Sequence, residues 1–505
     1  MKTKMLGTAM LAGASLFASC KKDSTSFNRN DLTNPVSIMP QAPSQWINFA
    51  GTTYYSSGYV GDVMPYYDGS KFHVYYLHDG DGNGGYHPIH AFKSADLVHY
   101  SYDGKMIAYG ANSDQDRALG TGSVVKVGST YYFYYTGHND LFPAQGLPEE
   151  GIMYATSSDL KSWTKKAGFD LLAPTGYDVD NFRDPYVFLN STTNEYWMLV
   201  AARHNGNAVV ALFACTDPSA DHWVLKGDLY SATTNGGLLE CPQLFQIGSK
   251  WYLLYSDQDN GNVHYRMASS VGGPFQTPVR DVLDGTFFYA AKVTSDGTNN
   301  YLFGWNYRKD GATDYGGKIW AGNLIVHQLL QNSDGTLSTT NPQTQSSLFT
   351  KTTLLQPVDM TSASSSSGSD YSVQAGGVVH FGLVNGQKKI TTTLSGLTGT
   401  NDAGFVFGWN RPGDASYYKV RFQSGTAYIV KVQPPSEYLD AAIPYTVSAN
   451  GDITVELLVD NSSFVVNING STCLTGRSYW LPNAQWGIYS TGGNVTFKQL
   501  SLYGY

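Results

Sequence analysis

Three acidic residues stand in settings that can support chemistry: Asp62 in GYVGDVMPYY, Asp184 in NFRDPYVF and Glu240 in GGLLECPQLF. Each comes just ahead of an apolar, strand-like run, and apart from Arg183 its surroundings are mostly uncharged. Taken singly, each has an ordinary structural reading. Gly61-Asp62 is a common turn pair, Arg183-Asp184 could pin a strand entrance, and Glu240 could be a solvated loop acid. A buried, isolated carboxylate is costly unless it is paired or used. Three of them at equivalent points of a repeat read better as reagents, single carboxylates drawn from separate segments to share nucleophilic and acid–base work at one centre.

The elements that must position them recur along the chain. The runs FHVYYLHDG, YYFYYTGHN, EYWMLVAAR, KWYLLYSDQ and NYLFGWNYR are short and aromatic, and each is preceded by a turn containing Gly, Asn or Ser. Their spacing, roughly 50 to 65 residues without helical periodicity, is that of propeller blades. Five starts predict an all-β chain with a five-bladed β-propeller over 45–340; a series of β-sandwiches is the alternative. Propellers hold ligands at the axis, where the inner strands converge. A polar, Ser-rich connector is expected over 341–370. Beyond it, strands such as VVHFGLV, GFVFGWN, YYKVRFQ, ITVELLVD and VTFKQLSLY predict a β-sandwich over 371–505. Trp409, Tyr417, Trp480 and Trp486 can serve that sandwich as core or as a sugar-facing surface, and bracing of the propeller is the favoured role.

The chain has 505 residues, a net charge of -8 and only 14% charged residues, and no basic stripe, so nucleic acid is not an expected partner. Lys2 and Lys4 precede an apolar run that ends in LFASC. That ending resembles a bacterial lipoprotein box, which implies a signal peptide over 1–20, lipidation at Cys20 and a polar tether over 21–44. The expected location is the bacterial outer membrane, facing periplasm or cell surface, with the lipid as the only membrane contact. An ordinary cleaved signal peptide is the alternative. Cys215, Cys241 and Cys473 show neither a disulfide framework nor zinc spacing and are expected as buried free thiols. His78, His87, His90 and His138 have no metal-ligand spacing, and neither metal nor cofactor is expected.

NFRDPYVF and LECP resemble two of the three acidic motifs of glycoside hydrolase family 32, the fructan-cleaving enzymes. HAFKSADLVHY, GTGSVV followed by YYTG, and YLFGW followed by WAGNLIVHQL agree in order. The family's opening Trp-Met-Asn-Asp-Pro-Asn-Gly is absent; Asp62 takes the nucleophile's place, flanked by Gly61, Val63 and Met64. The first-blade wall of the sugar pocket is thus rewritten.

The resemblance implies a five-bladed propeller, a C-terminal sandwich and retaining cleavage of β-fructofuranosyl linkages in levan, inulin or sucrose-type sugars. It makes Asp62 the nucleophile, Glu240 the acid/base, and Asp184 the holder of sugar hydroxyls. Arg183 would pair with nearby carboxylates and keep the nucleophile ionised. Ser123 is expected to line the substrate site; Tyr135 and Trp305 could floor or rim it, or serve as ordinary blade-core aromatics. The expected partner is an oligo- or polysaccharide, and the protein is expected as a monomer. Two alternatives stay open: a related five-bladed glycosidase for arabinose- or xylose-containing glycans, and a non-catalytic glycan-binding lipoprotein.

Overall fold

The computed structural model describes residues 36–49, 52–80, 86–398, 401–409, 411, 413–448 and 450–505. The expected signal peptide, Cys20 and the first part of the tether therefore lie outside the described residues.

The five aromatic runs are the second strands of antiparallel sheets: Phe72–Asp79, Thr130–His138, Glu195–His204, Lys250–Asp257 and Asn300–Lys309. Each folds back on the strand before it. These inner strands are Tyr59–Tyr67, Ala118–Val127, Tyr177–Asn190, Leu239–Ile247 and Phe288–Ser295. Successive side chains of a strand face opposite ways, and here both faces are covered. Tyr75 enters a core shared with the second sheet, while its neighbour Tyr76 enters one shared with the last. The runs are apolar throughout because no face of them meets water.

Each inner strand adjoins the next, and Phe288–Ser295 adjoins Tyr59–Tyr67, so the inner strands close a ring. Sheet hydrogen bonding also bridges the closure, where Gly322 of Lys318–Gln331 pairs with Val60. A side chain at Gly322 would put its Cβ 1.9 Å from the Asn306 carbonyl oxygen, so only glycine allows this approach.

The chain from Lys351 onward forms two further antiparallel sheets around one core, which takes in both Trp480 and Trp486. This sandwich is fused to the ring. Phe287 of the ring lies in the sandwich core, and Leu458, Val465 and Cys473 of the sandwich lie in a core of the ring. Arg477 donates to the Asn306 side chain at 2.7 Å and to the Tyr307 carbonyl at 2.8 Å, which bolts the sandwich behind Trp305.

Two stretches differ from their sequence reading. The later part of the expected tether is docked: Ile38 and Met39 are buried in a core, and Ser37 donates to Asp460 at 3.1 Å. Two apolar side chains suffice to seat a segment whose average composition is polar. The Ser-rich connector is also built in, with a short helix at Gln343–Ser347 and a strand at Ser364–Ser367 paired to Asp370–Val373. Its serines are mostly exposed on an edge strand, where small polar residues are tolerated.

Candidate active site

All five inner strands break register at the same level. The breaks fall between Val60 and Val63, Leu119 and Gly122, Arg183 and Tyr186, Glu240 and Gln243, and Tyr289 and Lys292. A bulge of this kind bends the strand and re-aims a side chain. Asp62, Thr121 and Asp184 lie within the breaks, and Glu240 and Tyr289 stand at their edges. Asp184, Cys241 and Ala290 have φ of 62°, 52° and 49°, left-handed values that non-glycine residues adopt at a cost in backbone energy. Pro185 and Pro242 follow two of them. Proline has no N–H to leave unpaired where the ladder opens, which accounts for the Asp-Pro and Cys-Pro pairs.

Asp62 accepts three hydrogen bonds from uncharged donors: Thr121 Oγ1 at 2.7 Å, Trp305 Nε1 at 2.9 Å and Trp320 Nε1 at 3.2 Å. Gly61 makes the third possible, since a Cβ there would lie 2.1 Å from the Trp320 ring. Asp184 accepts the Cys241 N–H at 2.9 Å, and its own N–H donates to Thr136 Oγ1 at 2.9 Å. Glu240 accepts from Arg183 at 2.7 Å and from the Tyr289 hydroxyl at 2.7 Å. Arg183 also donates to Glu150 at 3.2 Å, and the Phe182 N–H anchors that second carboxylate at 2.8 Å. Tyr289 lies edge-on to Trp305 with ring centroids 6.1 Å apart, so the rings that hold Glu240 and Asp62 touch.

The electrostatics follow from burial. Burial pushes the Asp62 carboxyl above its ordinary range; the Thr121 hydrogen bond opposes this and the charge of Glu240 adds to it. Burial pushes Asp184 up to about 7, against the pull of Arg183 and with the repulsion of Glu240 and Asp62. Glu150 goes the other way. Burial would raise it, but His138, 3.8 Å away, and Arg183 together bring it down. Acids that repel one another in a dry site do not all ionise at once. One can hold a proton while another is anionic, which is the division a paired acid and nucleophile need.

The site therefore brings together Asp62, Asp184, Glu240 and Arg183. Three sequence expectations are corrected. Ser123 does not face the site; its hydroxyl donates to the Pro185 carbonyl at 3.0 Å and accepts from the Val187 N–H at 2.9 Å, tying two inner strands together. Tyr135 is fully buried in the core between the first two sheets and donates to Asp116. Its position on a second strand points it between sheets rather than at the axis. Trp305 is at the site but fully buried, holding Asp62 rather than forming an open platform for sugar. Arg183 pairs with two nearby carboxylates, Glu150 and Glu240, and does not bond Asp62.

Thr121, Trp320, Tyr289 and Glu150 were not singled out from sequence. Thr121 lies in GTGSVV, two residues from Ser123, and Trp320 opens WAGNLIVHQL; both stood inside recognised stretches. The Glu149-Glu150 doublet before an apolar run was the one signal for Glu150.

A model of the Glycosyl hydrolases family 32 N-terminal domain matches residues 62–341, a span that opens on Asp62 and contains every site residue described above. The chain is 24% identical over 491 residues to a raffinose invertase of Escherichia coli, covering 88% of this chain and 93% of that protein. It is 24% identical to a levanbiose-producing levanase of Bacillus subtilis, covering 86% of each. Among solved structures, fructan 1-exohydrolase IIa from Cichorium intybus superposes with a TM-score of 0.69 at 18% identity, covering 92% of this chain and 96% of that one.

Proposed function

The chain belongs to glycosyl hydrolase family 32, and from that premise we propose that it hydrolyses β-fructofuranosyl linkages in levan, inulin or sucrose-type saccharides. The observation that carries the reading is the convergence of Asp62, Asp184 and Glu240 at the register breaks within the matched region. We take the ring as a five-bladed propeller, supported by its five inner strands, with the sandwich as its brace.

In this reading Asp62 attacks the anomeric carbon and forms a fructosyl-enzyme, while Glu240 protonates the leaving oxygen and then activates water. The three donors around Asp62 fix its direction of attack, and Tyr289 and Arg183 fix that of Glu240. Asp184 binds sugar hydroxyls, and the hydrogen bond it receives from Cys241 sets its carboxyl. Similarity to an invertase and a levanase supports fructosides over pentose-containing glycans as substrates. The experiment is hydrolysis of levan, inulin, sucrose and raffinose alongside arabinoxylan, with the released sugar identified and its anomeric configuration followed by NMR. Fructose released with retention is expected. Pentose release without fructose would sink the reading, and inversion would remove Asp62 as nucleophile.

The lipoprotein reading of Cys20 is proposed with it: the protein is anchored in the bacterial outer membrane by this cysteine and acts as a monomer. Incorporation of labelled fatty acid, lost in Cys20→Ala, is the expected result. Equal labelling of the two would refute the anchor.

A further inference from the structure

The proposed chemistry needs Asp62 as an anion, yet the groups that touch it are uncharged donors: Thr121, Trp305 and Trp320. Arg183 is engaged elsewhere, on Glu150 and Glu240. Glu240, Cys241, Asp184 and Tyr307 face Asp62 or its neighbours from the adjoining inner and second strands, and each is an acid. His87, which lies over Trp320 at 4.3 Å, is held neutral by burial. Among the described residues no cation in contact with Asp62 offsets this collection.

One cation is nearby without a hydrogen bond or ion pair among the described residues. Lys292 is the first residue past the register break of the Phe288–Ser295 strand. It is 2% exposed, and its ammonium has no hydrogen-bond partner among the described residues. The Tyr186 ring is centred 5.6 Å from Nζ. A buried, unpaired ammonium is among the costliest groups a fold can hold. The ionisable groups whose fields reach it are Cys241, Asp184 and Asp62. Burial is the larger influence and pulls the Lys292 ammonium below its ordinary range; these three acids of the site oppose it and favour the protonated form.

We propose that Lys292 is a positioning residue of this site, whose buried ammonium supplies at a distance positive charge to Asp62, which Arg183 does not bond, and adds to the pull of Arg183 on Asp184. The inference rests on the proposed role of Asp62. It explains how a carboxylate surrounded by neutral donors and other acids is available as an anion. The placement leaves the ammonium out of contact, so no bond to it must break when substrate binds.

The test is Lys292→Met, which keeps most of the volume and removes the charge. The acidic limb of its kcat/KM profile should move to higher pH by about one unit, a roughly tenfold loss on the limb itself. Lys292→Arg should return the limb toward its original position. The melting temperature should hold or rise, because an unpaired buried charge has been removed. Lys292→Gln is carried through the same measurements, so a Met variant that misfolds does not decide the matter.

A second readout needs no activity. Trp305 and Trp320 donate to Asp62, so the difference in tryptophan fluorescence between the wild type and Asp62→Asn, followed against pH, reports protonation of Asp62. Its midpoint should rise in Lys292→Met. A limb and a midpoint that both stay in place overturn the proposal. A wild type that releases no fructose refutes the functional reading instead, and the fluorescence midpoint then decides the role of Lys292 by itself.

Discussion

Buried acids occur in two regions of this molecule and are treated in opposite ways. At the junction between ring and sandwich, Asp284 is fully buried, 2.8 Å from His327 Nε2, and receives the Thr475 N–H at 2.8 Å. Lys309, nearly as buried, lies 2.8 Å from Asp440 and 3.8 Å from Asp314. Acids there have a cation alongside. At the axis, Asp62, Asp184, Glu240 and Glu150 share Arg183, which bonds only the last two. Matched acids hold a junction together. Asp62 and Asp184, left without a bonded cation and pushed by burial toward protonation, store a tendency to exchange protons, which is what a reaction centre uses.

The comparison can be broken at either end. The largest expected effect is that of Asp62→Asn, which should lower kcat/KM by at least ~10⁴-fold while leaving the melting temperature intact or higher. The asparagine Oδ1 can still accept from both indoles, and its Nδ2 can donate to the Thr121 hydroxyl oxygen. A variant keeping a tenth of the activity would mean that Asp62 is not the nucleophile. Asp284→Asn should do the reverse. It strands a buried His327 and should reduce stability by about 3–5 kcal/mol, read by urea denaturation, with kcat per folded molecule unchanged.

The two regions should also respond oppositely to pH. Asp184 has its folded pKa raised to about 7 from 3.8, so its contribution to stability is fully present below 3.8 and is lost as pH rises through 7. Asp184→Asn, an exchange that tolerates the left-handed backbone, should therefore melt like the wild type near pH 4 and above it at pH 8. At the junction, burial opposes protonation of His327, but Cys473 and Asp284 hold it up to about 10 from 6.5. Its contribution is full below 6.5 and disappears as pH rises through 10. Melting curves of His327→Gln should lose that alkaline decline; a decline unchanged from wild type would remove His327 as its cause. The smallest expected effect is that of Trp320→Phe, which deletes the longest of the three bonds to Asp62. About 1 kcal/mol, or roughly fivefold in kcat/KM, is expected.

The fold class was legible because its signal is local and repeated. Five apolar-aromatic runs, and a change to alternating strands after them, announce sheets packed on both faces and then a sandwich. Asp62, Asp184 and Glu240 were legible as a set because carboxylates in apolar settings are rare and two of them precede proline. The side chains that surround them were not. Thr121 is 59 positions from Asp62, Trp305 is 243 and Trp320 is 258, and no local pattern links them. Ser123 and Tyr135 show the converse error. Both lie in stretches that belong near the site, but alternation along a strand sends neighbours to opposite faces, and theirs is the packed one.

What the chain's order of residues determined by itself was the kind of structure and the kind of chemistry: sheets in a repeat, and three acids set apart from other charges. What only the tertiary structure decided was which charges those acids feel. Arg183, adjacent in sequence to Asp184, bonds two other carboxylates, while Lys292 approaches the cluster from a strand 108 residues beyond Asp184. Local backbone rules set where a strand breaks register. The field at a carboxylate is a sum over everything within several ångströms, and that sum exists only once the ring has closed.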